Sequence, residues 1–339
     1  MNTAIDLLPK TMKIIAVTAY GSEDVLQIEH IPTPIPNKNE ICLQIVASTV
    51  SSGDARIRGL NVPFGFKWIT KLFFGISAPR KKMLGSEFAG RVVSVGTDVT
   101  EFRVGDTVFG ATDSLGTHAE YICVNESGAV VKIPSGLSFE EAASLPFGCL
   151  TSLTYLIDFA KIKEGDRILI NGASGSLGVA GVQIAKYKGA IVTALCSQKN
   201  HDLVKRLGAD KVIDYREVIP EDIEGKFDII YDTVGNLSYF KMKHLLSSKG
   251  RFLLAVAGLK QYLTILYVCL TRQKKMVAGL ALFNKNYMNQ VKSLYEEGAL
   301  VAVIDSIHSF ENIKEAHRRV DLGHKVGSVV IQNTDSSRE

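Results

Sequence analysis

Hydrophobic positions along this chain change their pattern near residue 135. From Lys13 to about Val131 they come in short runs rich in β-branched residues: KIIAVTAYG, EICLQIVASTV, EFAGRVVSVG, DTVFGAT and AEYICV. Clusters of Gly, Pro, Asn and Asp separate them, which is the signature of strands joined by turns. Strands this short and closely spaced predict a barrel or a sandwich. The character changes at IPSGLSFEEAASLP, where Ser138 is placed to cap a helix with Glu141 as its capping-box partner. Beyond it strands alternate with helices: RILIN, a helix from Ser176, IVTALC, a helix near His201–Leu207, KVIDY, FDIIYDTVG, a helix near Tyr239–Leu246, and RFLLAVAG. That alternation predicts an α/β unit with a parallel sheet covered on both faces. The tail returns to strand–helix–strand (LVAVID, FENIKEAHRRV, GSVVIQ) and is expected to pack back on the first unit. A chain of 339 residues exceeds what one core usually supports. The expected division is 12–134 with 286–334, and 135–285.

One junction carries chemistry. The strand ending at Asn171 runs straight into GASGSLG, with Gly172, Gly175 and Gly178 three apart, and then into a helix. The first glycine permits the tight turn, the second lets backbone approach a ligand, and the third lets helix pack on strand. The N–H groups of Ser176 and Leu177 then face an anion at the positive end of the helix. This is a pyrophosphate cradle, and its expected contacts are Ser174, Gly175, Ser176, Leu177 and Gly178. A glycine triplet alone is weak, but its place between strand and helix is the confirming context. The second strand ends in Cys196-Ser197-Gln198-Lys199-Asn200, where NAD-binding folds usually place a carboxylate for the ribose hydroxyls. With no carboxylate there, a hydroxyl at Ser197 and a positive charge at Lys199, NADP(H) is favoured over NAD(H).

Composition narrows the class without adding chemistry. Hydrophobic residues at 46% and charged residues at 22% describe an ordinary globular protein. A net charge of +4, with Lys and Arg spread along the chain, gives no reason to invoke nucleic acid. Five cysteines, at 42, 123, 149, 196 and 269, form no CxxC pair, so neither a disulfide framework nor a clustered zinc site is expected. A reducing compartment, the cytoplasm, fits that usage. Residues 1–11 lack the apolar core of a secretory signal and read as a loose extension or an upstream start. The most apolar later stretch, Tyr262 to Leu270, is too short to span a bilayer, which needs about 20 residues. A buried helix or a subunit interface is expected there.

The order of these parts resembles the medium-chain dehydrogenase/reductase superfamily, and within it the zinc-independent quinone oxidoreductase branch. The carriers are TVSSGDARIRG (49–59), LGSEFAGRVVSVG (84–96), FRVGDTVFG (102–110), LPFGCLTSLTYL (145–156), ILINGASGSLG (168–178), LGADKVIDY (207–215) and YDTVG (231–235). The resemblance implies a GroES-like β-barrel beside a Rossmann domain, with NADPH in the cleft between them. It implies that Lys199 and Tyr215 hold the 2′-phosphate. Thr151 would lie near the nicotinamide, and Val234-Gly235 and Ala257-Gly258 would end the fourth and fifth strands at the cofactor. It also implies a homodimer, formed through a strand-like VAGLALF (277–283) that extends the sheet across a two-fold axis.

The zinc-dependent branch of that superfamily places a Cys, a His–Glu pair and a second Cys around a catalytic metal. The corresponding positions here are Ser51, Ser86 followed by Glu87, and Phe147, with Cys149 two residues away from the required place. Serine and phenylalanine do not replace thiolate and imidazole, so no metal site is expected. Without a Lewis acid, hydride transfer to a quinone or an α,β-unsaturated carbonyl is easier than oxidation of an unactivated alcohol. Ser51, Asp54 and Glu87 are the candidate polar groups for proton chemistry. Family members often carry Asn where Ser51 stands. Asp54 is alternatively a turn residue or a partner of Arg58, and Glu87 a satisfied structural carboxylate. The aromatic segment 61–75, with Phe64, Phe66, Trp68, Phe73 and Phe74, is expected as a loop over the cleft or as ordinary packing. His118, in GTHAEY, reads as a strand-surface residue. A zinc-free aldehyde or alcohol oxidoreductase, and an NADPH-binding sensor with little turnover, remain alternatives.

Overall fold

A computed structural model describes residues 8–62, 67–76, 78–271 and 274–333, with the side chains of 69, 70, 73 and 74 outside that description. The alternating half of the chain builds a six-stranded, wholly parallel sheet. Its strands lie in the order Lys211–Asp214, Ile191–Cys196, Arg167–Asn171, Phe227–Asp232, Leu246–Leu254 and Lys275–Ala278. In chain order this is 3-2-1-4-5-6, a doubly wound arrangement whose direction reverses beside the first strand. Ligands of such sheets sit outside the carboxyl ends at that reversal, where the glycine turn lies.

The β-rich half forms a second sheet. The strands Glu40–Val50, Glu87–Val95, Thr107–Ala111 and Val130–Lys132 are antiparallel neighbours, and Tyr121–Asn125 pairs with the first of them. The tail closes the other side: Ser328–Gln332 pairs antiparallel with Glu40–Val50, and Ile304–Ser309 pairs parallel with Ser328–Gln332. The fold is therefore α/β, with a GroES-like unit and a Rossmann-like parallel sheet. A separate hairpin, Thr11–Val17 with Leu26–Pro32, adds a strand that the hydrophobic pattern does not announce. Its second arm is mostly exposed and leaves little apolar periodicity to read. The pairing Cys42 opposite Cys123 brings two free thiols together that sequence spacing keeps far apart.

The largest apolar cluster crosses from one sheet to the other. Ala47, Ala89 and Phe109 join it from the first sheet, Leu150, Leu153 and Leu156 from the connecting helix, and Ile168, Ile170 and Ala185 from the second. The helical run Phe139–Phe159 is long and apolar enough to cross a membrane by length and composition, but 78% of its apolar window is buried inside the protein. It is the central core helix.

Three expectations are corrected. Leu259–Leu270 is a helix, but only Val268 among its residues is buried, so of the two expectations the buried helix is overturned and the subunit interface is left open. The strand expected over 277–283 is Lys275–Ala278 and stops before Gly279. The described part of the aromatic segment is a helix, Lys67–Phe74, rather than a loop, and Trp68 is 82% exposed. Phe64 and Phe66 lie outside the described residues, as do the side chains of Phe73 and Phe74.

Candidate active site

The strand Arg167–Asn171 is buried from Ile168 onward and delivers the chain to the turn with Gly172 at φ +76°. A Cβ on Gly172 would meet Val234 Cγ2 at 2.5 Å and Thr233 Oγ1 at 2.6 Å. On Gly178 it would sit 2.2 Å from the Gly172 carbonyl oxygen, so this glycine exists for the helix to touch the turn. Gly175 differs: its nearest atom would be the Gly172 oxygen at 3.6 Å. The space over Gly175 is therefore left for something other than protein. It caps the helix Ser176–Tyr187 without a side-chain hydrogen bond, so the first N–H groups there remain for a ligand.

That turn opens into a cleft of about 720 Å³ between the two sheets. Asn171, Gly172, Ser174–Leu177, Ser197, Asn200 and Tyr215 form its dinucleotide side. Thr233, Val234, Leu237, Ala255 and Val256 continue it along the ends of the fourth and fifth strands. The opposite wall is Thr49, Ser51, Glu87 and Phe147, and Lys325 joins it to the cradle helix. The cradle and its length suit an extended dinucleotide. Thr151, Gly178, Lys199, Ala257 and Gly258 stand behind or beside this wall and do not line it. Thr151 is buried on the helix Pro146–Leu153, and Lys199 is exposed on the turn that follows the second strand.

Polar contacts fix the shape of the dinucleotide side. Asp232 is fully buried and accepts from the Asn171 side chain at 2.8 Å and from the N–H groups of Val234, Gly235 and Leu237. Asn200 donates to Ser174 Oγ at 3.0 Å and to Ser197 Oγ at 3.3 Å, tying the glycine turn to the end of the second strand. Asp214, on the third strand, accepts the Gln198 N–H and is held by the Arg216 guanidinium at 2.8 Å. The Arg216 hydrogen bonds keep its carboxyl well below the usual carboxylate range. A carboxylate near the ribose end is thus already neutralised by a cation.

The opposite wall starts from a sequence-local device. Ser51 caps the helix Ser52–Gly59 and Asp54 completes the capping box. The Ser51 hydroxyl donates to Asp54 Oδ2 at 2.6 Å, and Asp54 Oδ1 accepts the Gly85 N–H at 2.8 Å. Asp54 is 2% exposed, does not line the cleft, and is not paired with Arg58, whose partner is Asp321. Asp54 holds the Gly85 turn against the cap rather than facing a substrate. Replacing it with alanine is expected to lower the unfolding free energy by ~2–4 kcal/mol, because buried donors lose their acceptor. Denaturant melts should show that loss, whereas a stable but inactive variant would return Asp54 to the chemistry.

Glu87 is the cleft's buried acid. It begins the strand Glu87–Val95, is 2% exposed, and accepts from the Thr49 hydroxyl and from the Phe147 N–H at 2.7 Å. The Phe147 N–H lies in the first turn of the helix Pro146–Leu153, a place that favours a negative charge. Burial still wins and pushes the carboxyl up to about 7, with the hydrogen bonds from Thr49 and Phe147 opposing it. His118 is fully buried, not on a strand surface, and its Nε2 contacts the Thr49 carbonyl at 2.9 Å.

Lys325 is a cleft residue that the sequence does not point to. Its ammonium donates to Ser176 Oγ and to the Gly327 carbonyl, within the first turn of the cradle helix. Burial pulls it down to about 8 against the opposing pull of Glu87 and Asp305. The returning tail is stitched to the glycine turn, because Gly327 N–H donates to the Ser174 carbonyl at 2.8 Å. In GHKVG a lone lysine reads as solvated, and only the tail's return places it here.

The positions of a catalytic zinc do not offer metal donors. The Ser51 hydroxyl is committed to Asp54, Ser86 is a serine, and Phe147 presents a ring. Cys149 is 1% exposed, and burial raises its thiol far above the range in which it ionises. A neutral thiol, two hydroxyls and a ring do not fit Zn²⁺.

Comparison with known proteins agrees with this architecture. Residues 37–135 match the model of the alcohol dehydrogenase GroES-like domain, and residues 207–331 that of a zinc-binding dehydrogenase. A chloroplastic quinone-oxidoreductase homolog of Spinacia oleracea is 32% identical over 340 residues, covering 95% of this chain and 99% of the relative. The 2-methylene-furan-3-one reductase of Solanum lycopersicum is 30% identical over 343 residues, covering 97% of this chain and 81% of the relative. Among solved structures, the quinone oxidoreductase from Coxiella burnetii superposes with a TM-score of 0.84 at 28% identity, over 96% of this chain and all of that one.

Proposed function

Since the chain belongs to the medium-chain dehydrogenase/reductase superfamily, in its quinone oxidoreductase branch, and is an oxidoreductase of that family, we propose that it uses NADPH to reduce a quinone or an α,β-unsaturated carbonyl without zinc. In this reading 12–134 with 286–334 form the catalytic unit and 135–285 the cofactor unit, working as a homodimer in the cytoplasm. The observation that carries it is the wall made by Ser51, Phe147 and a buried, protonatable Glu87 facing a glycine cradle. When bound, the nicotinamide supplies a hydride to the acceptor.

The chain's own groups do the rest. Ser176 and Leu177 N–H groups, with the Lys325 ammonium beside them, take the diphosphate. Ser197, Lys199 and Tyr215 take the 2′-phosphate, for which no carboxylate stands at the end of the second strand. Phe147 and Val256 flank the acceptor and exclude water. The Thr49 hydroxyl, also in the cleft wall, donates to Glu87; turned to the acceptor, it can give its own proton to the acceptor oxygen or carbon and take the proton held on Glu87. Ser51, its hydroxyl spent on Asp54, orients rather than donates.

Loss of NADPH absorbance against a panel of quinones, enones and aldehydes tests the proposal. Turnover confined to quinones and enones, and unaffected by chelators, is the expected result. Metal-dependent turnover refutes the zinc-free reading, preference for aldehydes favours the alcohol/aldehyde alternative, and tight binding without turnover favours a sensor. The cofactor choice has its own test. Lys199→Glu should weaken NADPH by ~1–2 kcal/mol while leaving NADH unchanged. Equal losses for both would remove Lys199 from the 2′-phosphate site.

A further inference from the structure

The helix Leu259–Leu270 has an apolar stripe on the outside of the protein. Leu259, Leu263, Leu266, Tyr267 and Leu270 recur at helical spacing, and Leu263, Leu266 and Leu270 are 59%, 57% and 75% exposed. Phe240, half exposed, packs its ring against Tyr267 at 6.0 Å and widens the stripe into a patch. A contiguous exposed patch of this kind marks an interaction site.

Its charge setting is one-sided. From Thr233 to Tyr295 the sequence holds no Asp or Glu and ten Lys or Arg residues, of which Lys241, Lys285 and Lys292 pair with Glu221, Glu101 and Glu296, while the whole chain is only +4. The whole-chain balance conceals this asymmetry. Lys260 lies among Leu259, Leu263 and Tyr267, Lys243 stands 5.7 Å over the Phe240 ring, and Lys275 is exposed at the start of the strand Lys275–Ala278, which packs on the helix; among the described residues none of them sits in an ion pair. A two-fold contact through this face would set like charge against like, since both copies present the same surface. Nucleic acid would satisfy the lysines and leave the leucines in water. An anionic bilayer satisfies both, with acyl chains for the leucines and headgroups for the lysines. Twelve residues cannot span a bilayer but can lie in its interface.

We propose that the exposed face of Leu259–Leu270, rimmed by Lys243, Lys260 and Lys275, docks this protein on an anionic lipid surface. The helix starts three residues after Val256, and Phe240 lies three residues beyond Leu237; Ala255, Val256 and Leu237 line the cleft. Docking therefore brings the cleft mouth to the bilayer, where a lipophilic acceptor would be concentrated. That last consequence rests on the proposed function; the docking itself does not.

Co-sedimentation of the full chain with phosphatidylcholine vesicles, with and without phosphatidylserine, tests it with neither cofactor nor acceptor present. Binding is expected to the anionic vesicles, at least ~10-fold weaker to neutral ones, and weakened by salt. The double variant Leu263→Gln, Leu266→Gln should lose it by a similar factor, and Lys260→Gln with Lys275→Gln should erase the preference for phosphatidylserine. These side chains are exposed, so thermal melts should stay unchanged. Failure to bind anionic vesicles, or binding indifferent to the leucine change, overturns the proposal. So does a stable dimer whose mass falls to that of a monomer in the double leucine variant, because a second copy would then occupy the face. A failed reductase assay would leave each of these readings intact.

Discussion

Two valine substitutions three residues apart should separate folding from cofactor binding. Gly178→Val is expected to lower stability by ~3 kcal/mol or more, and Gly175→Val to leave it within ~1 kcal/mol while weakening NADPH at least 100-fold. At Gly178 the new Cβ overlaps the Gly172 carbonyl oxygen and the Ala173 backbone, both at 2.6 Å or less. Backbone on one side and a buried helix on the other cannot yield as a flexible side chain would. At Gly175 the backbone is extended, φ −79° and ψ 172°, which any residue adopts, and no protein atom comes within 3.6 Å of its Cβ. A side chain there meets only the ligand's space. Denaturant melts alongside NADPH fluorescence titrations check both halves. A destabilised Gly175→Val, or one that still binds NADPH, would mean that the open space is not the cradle.

That contrast also shows how far the sequence carried the reading. The three glycines, the strand before them and the helix after them sit where the pattern places them, because each role depends on residues adjacent in the chain. The same is true of the Ser138–Glu141 capping box, whose two hydrogen bonds both form at 3.1 Å. That the sheet is parallel follows from the alternation of strands and helices; its order comes from the fold. Features that depend on distant partners were not legible. Lys325 becomes a cradle residue only because Gly327 is stitched to Ser174, 153 positions earlier in the chain. Asp54 looked catalytic because its type and place allowed it; Gly85, 31 residues on, takes its second oxygen. Leu259–Leu270 is undecided for a third reason: a core stripe and an interface stripe have the same periodicity, and only the fold shows that this one is not buried within the chain.

Glu87→Gln should remove a pH dependence from both stability and rate. Its carboxyl titrates near 7 in the folded protein against an ordinary value of 4.5, so the native state keeps a proton that the unfolded chain releases. The resulting stabilisation is fully present below about pH 4.5 and is lost as pH rises through about 7, at most ~3 kcal/mol. Glutamine mimics the protonated form, offering one oxygen and one N–H donor, and does not ionise. Relative to the wild type, the variant should therefore gain up to ~3 kcal/mol between about pH 4 and pH 8. Turnover carries the same titration with another meaning. A proton held on Glu87 and passed over Thr49 is available below about pH 7, so the wild-type rate should fall above it. The variant should be flat over that range and slower by ~10²-fold, the usual contribution of a positioned acid. Its NADPH affinity should match the wild type below about pH 7, where Glu87 is already protonated, and differ above it, where the carboxylate that acts on Lys325 is missing. Parallel melts and rate profiles distinguish the outcomes. A limb in the stability curve with none in the rate would make Glu87 a buried structural acid, and the proton would then come from water.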